Sequence, residues 1–223
     1  MSKLIIEGLH RLEGEIKVQG AKNSILPILA ASIICEDECV IHGCPNISDV
    51  QVTIKVLEHL GCKVSFFGDT ITVNSKNISK NEIPQSLMRE MRSSIIFLGA
   101  LVSRKKSAKL SFPGGCELGP RPIDLHLEGL RQLGLKINEK HGFLECESPG
   151  LIGSNIALSF PSVGATENLI LAAVKAKGVT VLTNAAKEPE IMDLILFLNK
   201  CGAKIKYSES GVKIGRASCR ERV

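Results

Sequence analysis

The sequence predicts an α/β protein built from three copies of a helix–strand–loop–helix–strand–strand unit. Three observations predict it. Turns of one design, Leu60-Gly61-Cys62-Lys63-Val64, Leu133-Gly134-Leu135-Lys136-Ile137 and Cys201-Gly202-Ala203-Lys204-Ile205, recur at nearly equal intervals. Each follows a stretch with apolar residues at helical spacing, over 48–60, 123–133 and 189–200. Hydrophobic residues make up 44% of the chain and charged residues 23%, as in globular proteins, while aromatics are only 4% and Trp is absent, so the core has to be aliphatic.

In the first unit, about 22–80, a helix is expected over 23–34, a strand over 38–42, the amphipathic helix 48–60, and two strands around a turn, Lys63–Phe67 and Thr70–Asn74. Gly61 fits the position that ends a helix in a left-handed conformation, as do Gly134 and Gly202 in their units. The second unit, about 81–150, has an apolar helix over 86–103, a strand over 108–112 and the helix 123–133 before its Gly turn. The third, about 151–214, has a helix over 164–176, a strand over 178–183, the helix 189–200 and strands Lys204–Tyr207 and Gly211–Ile214. Each unit is too small to bury both of its faces alone. Three units suit an arrangement about a pseudo-threefold axis with helices inward and sheets outward, although the periodicity by itself specifies only the units.

The eight cysteines (35, 39, 44, 62, 116, 146, 201 and 219) form no CxxC pair and no Cys/His group at zinc spacing; Cys35, Cys39 and Cys44 come closest, without partner ligands following. No metal site is expected. The first residues reach charged Lys3 and Glu7 without a long apolar run, so no signal peptide is expected, and reduced thiols in a cytoplasmic protein are the simplest account. The apolar runs are helix-sized and broken by charge, which argues against a membrane span. Net charge is +5, part of it from residues 215–223, which carry three Arg and one Glu. No basic stripe with interleaved aromatics exists, so nucleic acid is not an expected partner.

Chemistry is suggested by four places. The loop Pro113-Gly114-Gly115-Cys116-Glu117-Leu118-Gly119-Pro120-Arg121-Pro122 cannot form an ordinary helix or strand, and it displays a thiol near a guanidinium that would favour thiolate. Gly20-Ala21-Lys22-Asn23-Ser24 enters the first helix, where Asn23 or Ser24 can cap and free backbone N–H groups favour an anion beside Lys22. Met91-Arg92-Ser93-Ser94 enters the corresponding helix of the second unit, and its Arg suits phosphate or carboxylate. Pro161-Ser162-Val163-Gly164-Ala165-Thr166 enters that of the third, where Ser162 or Thr166 can cap. Taken singly, each has a bland reading: a packed thiol, a solvated Lys, a surface Arg, a cap. Their equivalent places in the repeat point instead to one anionic ligand.

These segments, in this order and with Asn184-Ala185-Ala186-Lys187-Glu188-Pro189-Glu190, resemble the UDP-N-acetylglucosamine 1-carboxyvinyltransferase family over residues 1 to about 214. The resemblance implies an inside-out α/β barrel of the enolpyruvyl transferase type. It implies transfer of the enolpyruvyl group of phosphoenolpyruvate to the 3-hydroxyl of UDP-N-acetylglucosamine by addition and elimination of phosphate, opening peptidoglycan synthesis in the bacterial cytoplasm. No cofactor and no metal are implied. Cys116 resembles the proton donor to the methylene carbon, and Lys22 and Arg121 the residues that hold phosphoenolpyruvate. Asn23 resembles a contact to the sugar. Arg92, Arg121, Pro122, Ile123, Asp124, Leu125, Ser162, Val163 and Gly164 resemble the UDP-sugar cradle.

Phe160 stands where some members carry a Lys near the diphosphate, so that contact is expected to be missing. The family is about twice this length. The resemblance therefore implies that residues 22–214 form one of two domains, that 1–21 cross to the other, and that the C-terminal domain needed to complete the active site is missing. Residues 215–223 read as a foreign or out-of-frame tail, and the fragment alone is expected to be inactive. Two other readings compete. One is a 5-enolpyruvylshikimate-3-phosphate synthase-like enzyme, which does not use such a cysteine; the other is a non-catalytic single domain that binds the UDP-sugar.

Overall fold

A computed structural model describes residues 3–9, 11, 13–112 and 122–215. The first unit runs α1 (Lys22–Ser32), β1 (Glu38–Ile41), α2 (Ser48–Leu60), β2 (Lys63–Phe67) and β3 (Thr70–Asn74). The second runs β4 (Glu82–Ile83), α3 (Gln85–Glu90), a 3₁₀ turn (Arg92–Ile96), α4 (Phe97–Lys105), β5 (Ser107–Ser111), α5 (Asp124–Gln132), β6 (Lys136–Lys140) and β7 (Phe143–Glu147). The third runs β8 (Asn155–Ala157), α6 (Val163–Ala173), β9 (Val179–Thr183), α7 (Pro189–Lys200), β10 (Lys204–Ser208) and β11 (Gly211–Gly215). The three-unit expectation holds, and Gly61, Gly134 and Gly202 all have positive φ (104°, 88° and 90°), as helix-ending glycines require.

Each unit owns a sheet. The strand orders are β1-β3-β2, β4-β5-β7-β6 and β8-β9-β11-β10, antiparallel except where β4 joins β5 and β8 joins β9. Burial alternates along the strands: in β3 Ile71 and Val73 are fully buried, while their neighbours are half-exposed. One face of each sheet thus covers the core and the other meets water.

The core itself is helical. In α6 every residue from Ala165 to Ala173 is buried, in α4 every residue from Phe97 to Ser103, and in α1 most of the residues from Ile25 onward. Helices apolar all round belong in an interior. Helices α2, α5 and α7 bury one face each, such as Ile191, Leu194, Ile195 and Leu198 of α7. At the C-terminal ends of the central helices an ionic cluster joins the units. Glu36, after α1, pairs with Arg104 of α4 at 2.7 Å and with Lys175, just after α6. Partial burial opposes ionisation of Glu36, yet Lys175 and Arg104 hold its pKa below the ordinary value.

Three expectations need correction. The helix expected over 86–103 is broken, because Met91 is extended (φ −142°, ψ 125°) between α3 and the 3₁₀ turn. Ser94 stabilises the break by donating its hydroxyl to the Met88 carbonyl at 3.1 Å. Neither Asn23 nor Ser24 caps α1: the cap is Ala21, and the Ser24 hydroxyl donates to Asp193 on α7 at 2.6 Å. Ser162 does cap α6, accepting from the Ala165 N–H, whereas Thr166 accepts from the Ala186 N–H at 3.0 Å. Finally, the cysteines do cluster. Cys201 meets Cys35 and Cys39 from the far end of the sequence, with all three sulfurs within 4.8 Å of one another.

Helices α4 and α6 approach closely at Gly99. A Cβ there would stand 2.2 Å from the backbone oxygen of Asn168. Gly99→Ala is therefore expected to destabilise the chain by about 3 kcal/mol, read as a lower urea midpoint. An unchanged midpoint would mean that the two helices separate there without cost.

Candidate functional site

The starts of α1, α2, the 3₁₀ turn, α5, α6 and α7 converge on one cavity of about 480 Å³. It is lined by Lys22 and Asn23 of α1, Asp49 of α2, Arg92 and Ser93, Pro122, Ile123 and His126, then Ser162, Val163, Gly164 and Glu167, and Glu190 of α7. The first N–H groups of a helix have no partner within it and carry the positive end of its dipole, so this convergence favours a ligand rich in anionic oxygens. Extended Met91 ends α3 and starts a new helical segment at Arg92, which sets the arginine at the cavity wall.

Of the residues singled out in the sequence, Lys22, Asn23, Arg92, Pro122, Ile123, Ser162, Val163 and Gly164 come together here. Asp124 and Leu125 start α5 next to the cavity but do not line it. Cys116 and Arg121 lie outside the described residues. Lys22 is not a free charge: its ammonium pairs with Asp49.

Sequence reasoning missed Asp49, His126, Glu167 and Glu190 as site residues. The available signal was polarity in the wrong place. Glu167 and Asn168 interrupt an otherwise apolar helix, and His126 lies on the apolar face of α5.

A buried network fixes the protonation of His126. The Asn168 amide oxygen accepts the N–H of Gly99, and its nitrogen donates to the carbonyl of Ile95 at 3.0 Å. Those two backbone groups settle which way the amide faces. Its nitrogen therefore also donates to His126 Nδ1 at 3.0 Å, and the neutral ring has to carry its proton on Nε2. Burial and then the charge of Arg92 lower the His126 pKa to about 4, so the ring is neutral near pH 7. A Cβ on Gly164 would come within 3.4 Å of Nε2, so the bare glycine lets the imidazole edge reach the start of α6.

Glu167 is 7% exposed, and burial, then Glu190 and Glu188, raises its pKa to about 8. Near neutrality it is mostly a carboxylic acid, able to donate a hydrogen bond. His126 and Glu167 thus add no full charge to the cavity, and each offers a donor. An anion meets Arg92, the helix starts and Lys22 with its partner Asp49, beside Glu190 and with the charge of Glu167 suppressed.

The sequence profile of the family described as EPSP synthase (3-phosphoshikimate 1-carboxyvinyltransferase) matches residues 6–216. A protein of Caldanaerobacter subterraneus named UDP-N-acetylglucosamine 1-carboxyvinyltransferase 2 is 57% identical over 205 residues, covering 92% of this chain and 49% of the relative. One from Carboxydothermus hydrogenoformans, UDP-N-acetylglucosamine 1-carboxyvinyltransferase 1, is 49% identical over 206 residues with the same coverage. Among solved structures, the enolpyruvyl transferase NikO of Streptomyces tendae shares the fold, with a TM-score of 0.81 and 24% identity over 92% of this chain and 48% of that one. EPSP synthase of Acinetobacter baumannii aligns at a TM-score of 0.68 and 18% identity, again over 92% of this chain and 48% of that one. The chain spans about half the length of the curated relatives it matches.

The two buried groups give the chain opposing pH dependences. Between pH 4.5 and about 8 the unfolded state has lost a Glu167 proton that the folded state keeps, so stability falls as pH rises. Between about 4 and 6.5 the unfolded state holds a His126 proton that the folded state refuses, so stability rises with pH. From 6.5 to 8 only the Glu167 slope remains of the two. Urea unfolding of Glu167→Gln and the parent chain at pH 6.5 and 8 should show the variant gaining roughly 2 kcal/mol on the parent across that window.

Proposed function

The chain belongs to the EPSP synthase family, and from that premise we propose that it forms the UDP-sugar-binding half of a UDP-N-acetylglucosamine 1-carboxyvinyltransferase. The observation that carries the reading is the single cavity at which the three equivalent helix entries meet, with Lys22, Arg92 and the capped start of α6 around it. A nucleoside diphosphate sugar needs such a place: backbone donors and a planar guanidinium for the diphosphate, and apolar walls such as Leu26, Pro27, Ile95 and Ile123 for the less polar parts. The names of the curated relatives support this acceptor.

In the proposed reaction the 3-hydroxyl of the sugar gives up its proton to a base and its oxygen bonds to C2 of phosphoenolpyruvate, while the C2–C3 π bond opens and the methylene carbon takes a proton, giving a tetrahedral intermediate. Loss of phosphate and of a proton from the new methyl group then leaves the enolpyruvyl ether. Cys116 is assigned as the proton donor to the methylene carbon. Lys22 and Arg121 are assigned to the charge of phosphoenolpyruvate, where positive charge also stabilises the transition state. Asn23 is assigned to the sugar. Arg92, Arg121, Pro122, Ile123, Ser162, Val163 and Gly164 form the cradle of the UDP-sugar, with Asp124 and Leu125 at its edge.

Lys22 leaves Asp49 for substrate in this scheme, an exchange of one carboxylate partner for another anion. Residues 22–214 act as one domain, and the activity belongs to the bacterial cytoplasm, where peptidoglycan precursors are made. In this scheme the half of the relatives' length that the chain does not span supplies the second domain that turnover requires.

Calorimetric titration of the chain tests the reading. Saturable binding of UDP-N-acetylglucosamine is expected, with no phosphate release on adding phosphoenolpyruvate. Arg92→Ala is expected to weaken binding about tenfold or more, because a hydrogen-bonded charge pair is lost. Binding of shikimate 3-phosphate in place of the UDP-sugar would transfer the assignment to the sister acceptor. Turnover by the chain alone would remove the need for a second domain.

A further inference from the structure

At the end of the molecule opposite the cavity, three cysteines from remote parts of the sequence meet. Cys35 follows the C-terminus of α1, Cys39 lies in β1, and Cys201 ends α7. Helices α1 and α7 begin at the cavity with Lys22 and Glu190 and have 11 and 12 residues, so the cysteines lie about 16–18 Å from it. The three Sγ atoms are within 4.8 Å of one another. Cys39 and Cys201 are buried, at 1% and 5% exposure, and Cys35 is half-buried, leaving one side open to solvent.

Every arm of the cluster is braced. The Asn199 side chain bonds both backbone groups of Ile205, at 2.9 and 2.8 Å, and so fixes the turn that carries Cys201. The Ser75 hydroxyl donates to the Ser32 carbonyl at 3.0 Å, and the Cys35 N–H bonds that same carbonyl, which holds the end of α1. Cys39 pairs with Val73 in the sheet and faces inward. Packing of small hydrophobic residues does not require three sulfurs to share one point. Coordination of a soft cation does.

We propose that Cys35, Cys39 and Cys201 form a three-thiolate site for a thiophilic d¹⁰ cation, Zn²⁺ or Cu⁺. Three sulfurs bonded to one ion at about 2.3 Å lie roughly 3.8 Å apart, so each sulfur moves by less than about 1 Å to close on it. Binding involves no electron transfer: the thiols release protons to the buffer and their sulfurs donate lone pairs to the metal. With Zn²⁺, a water completes four-coordination from the open side at Cys35; with Cu⁺, three thiolates suffice. Cys35 and Cys39 belong to the first unit and Cys201 to the third, so the ion staples the two together.

The test uses the reduced 223-residue chain, loaded anaerobically with Zn²⁺ or with Cu⁺ and freed of excess by gel filtration. One bound ion per chain is expected, and X-ray absorption should show three sulfur neighbours at about 2.3 Å. Which of the two ions meets both criteria identifies the natural class. Cys201→Ser should weaken binding at least about tenfold, while Cys62→Ala, which alters a buried thiol outside the cluster, should leave it unchanged. Loading well below one ion, oxygen and nitrogen neighbours in place of three sulfurs, or equal losses in the two variants would each overturn the proposal. The absorption measurement on the parent chain keeps the test valid if Cys201→Ser fails to fold.

Discussion

A helix buried along its whole length has only its two ends at which to handle polar groups. Helices α4 and α1 follow this constraint over most of their length, and α6 departs from it only at Thr166, Glu167 and Asn168, whose polar groups face the cavity, its neighbours or backbone partners; much of the molecule follows from it. Because the interior faces are aliphatic, polarity collects where the helices enter and leave the core. At the entry ends lie the cavity and its donors. At the exit ends lie Glu36 with Arg104 and Lys175, together with the cysteine cluster. The sheets serve as a covering, each with one wet face, which is why strands such as β3 and β11 alternate in burial.

The entry ends are equivalent in architecture but not in chemistry. The first unit presents Lys22 beside Asp49, the second Arg92 after an interrupted helix, and the third a serine cap followed by bare Gly164. His126 and Glu167 sit between these starts, neutral because burial outweighs their attraction to water. Asn168 joins them to the core, since a single amide addresses α4, the 3₁₀ turn and His126. Electrostatic character and mechanical rigidity therefore share one set of atoms.

The three-unit organisation was legible because it is local: amphipathic spacing and a glycine after each outer helix can be read within about fifteen residues. The break at Met91 was not legible, since Met, Arg and Ser all suit a helix and the extended conformation depends on burial of that side chain and on the bond from Ser94 to Met88. Strands β4 and β8, of two and three residues, are too short to show alternation. In the site, the glycine-rich and arginine-bearing helix entries were visible as motifs. The pairing of Lys22 with Asp49 and the meeting of Cys201 with Cys35 and Cys39 were not, because they depend on contacts between separate elements and leave no spacing pattern.

The contact between Gly99 and Asn168 also constrains how such a sequence can change over time. The Asn168 side-chain oxygen would lie 2.4 Å from a Cβ at position 99, but its backbone oxygen would be closer still, at 2.2 Å. Shortening residue 168 would remove the first obstacle and leave the second, which every amino acid carries. Position 99 is thus closed to drift whatever its neighbour becomes, whereas position 168 is held only by what its amide does for His126 and the backbone. The dependence is one-way: substitutions can accumulate around the glycine, and none of them at residue 168 opens a path away from it.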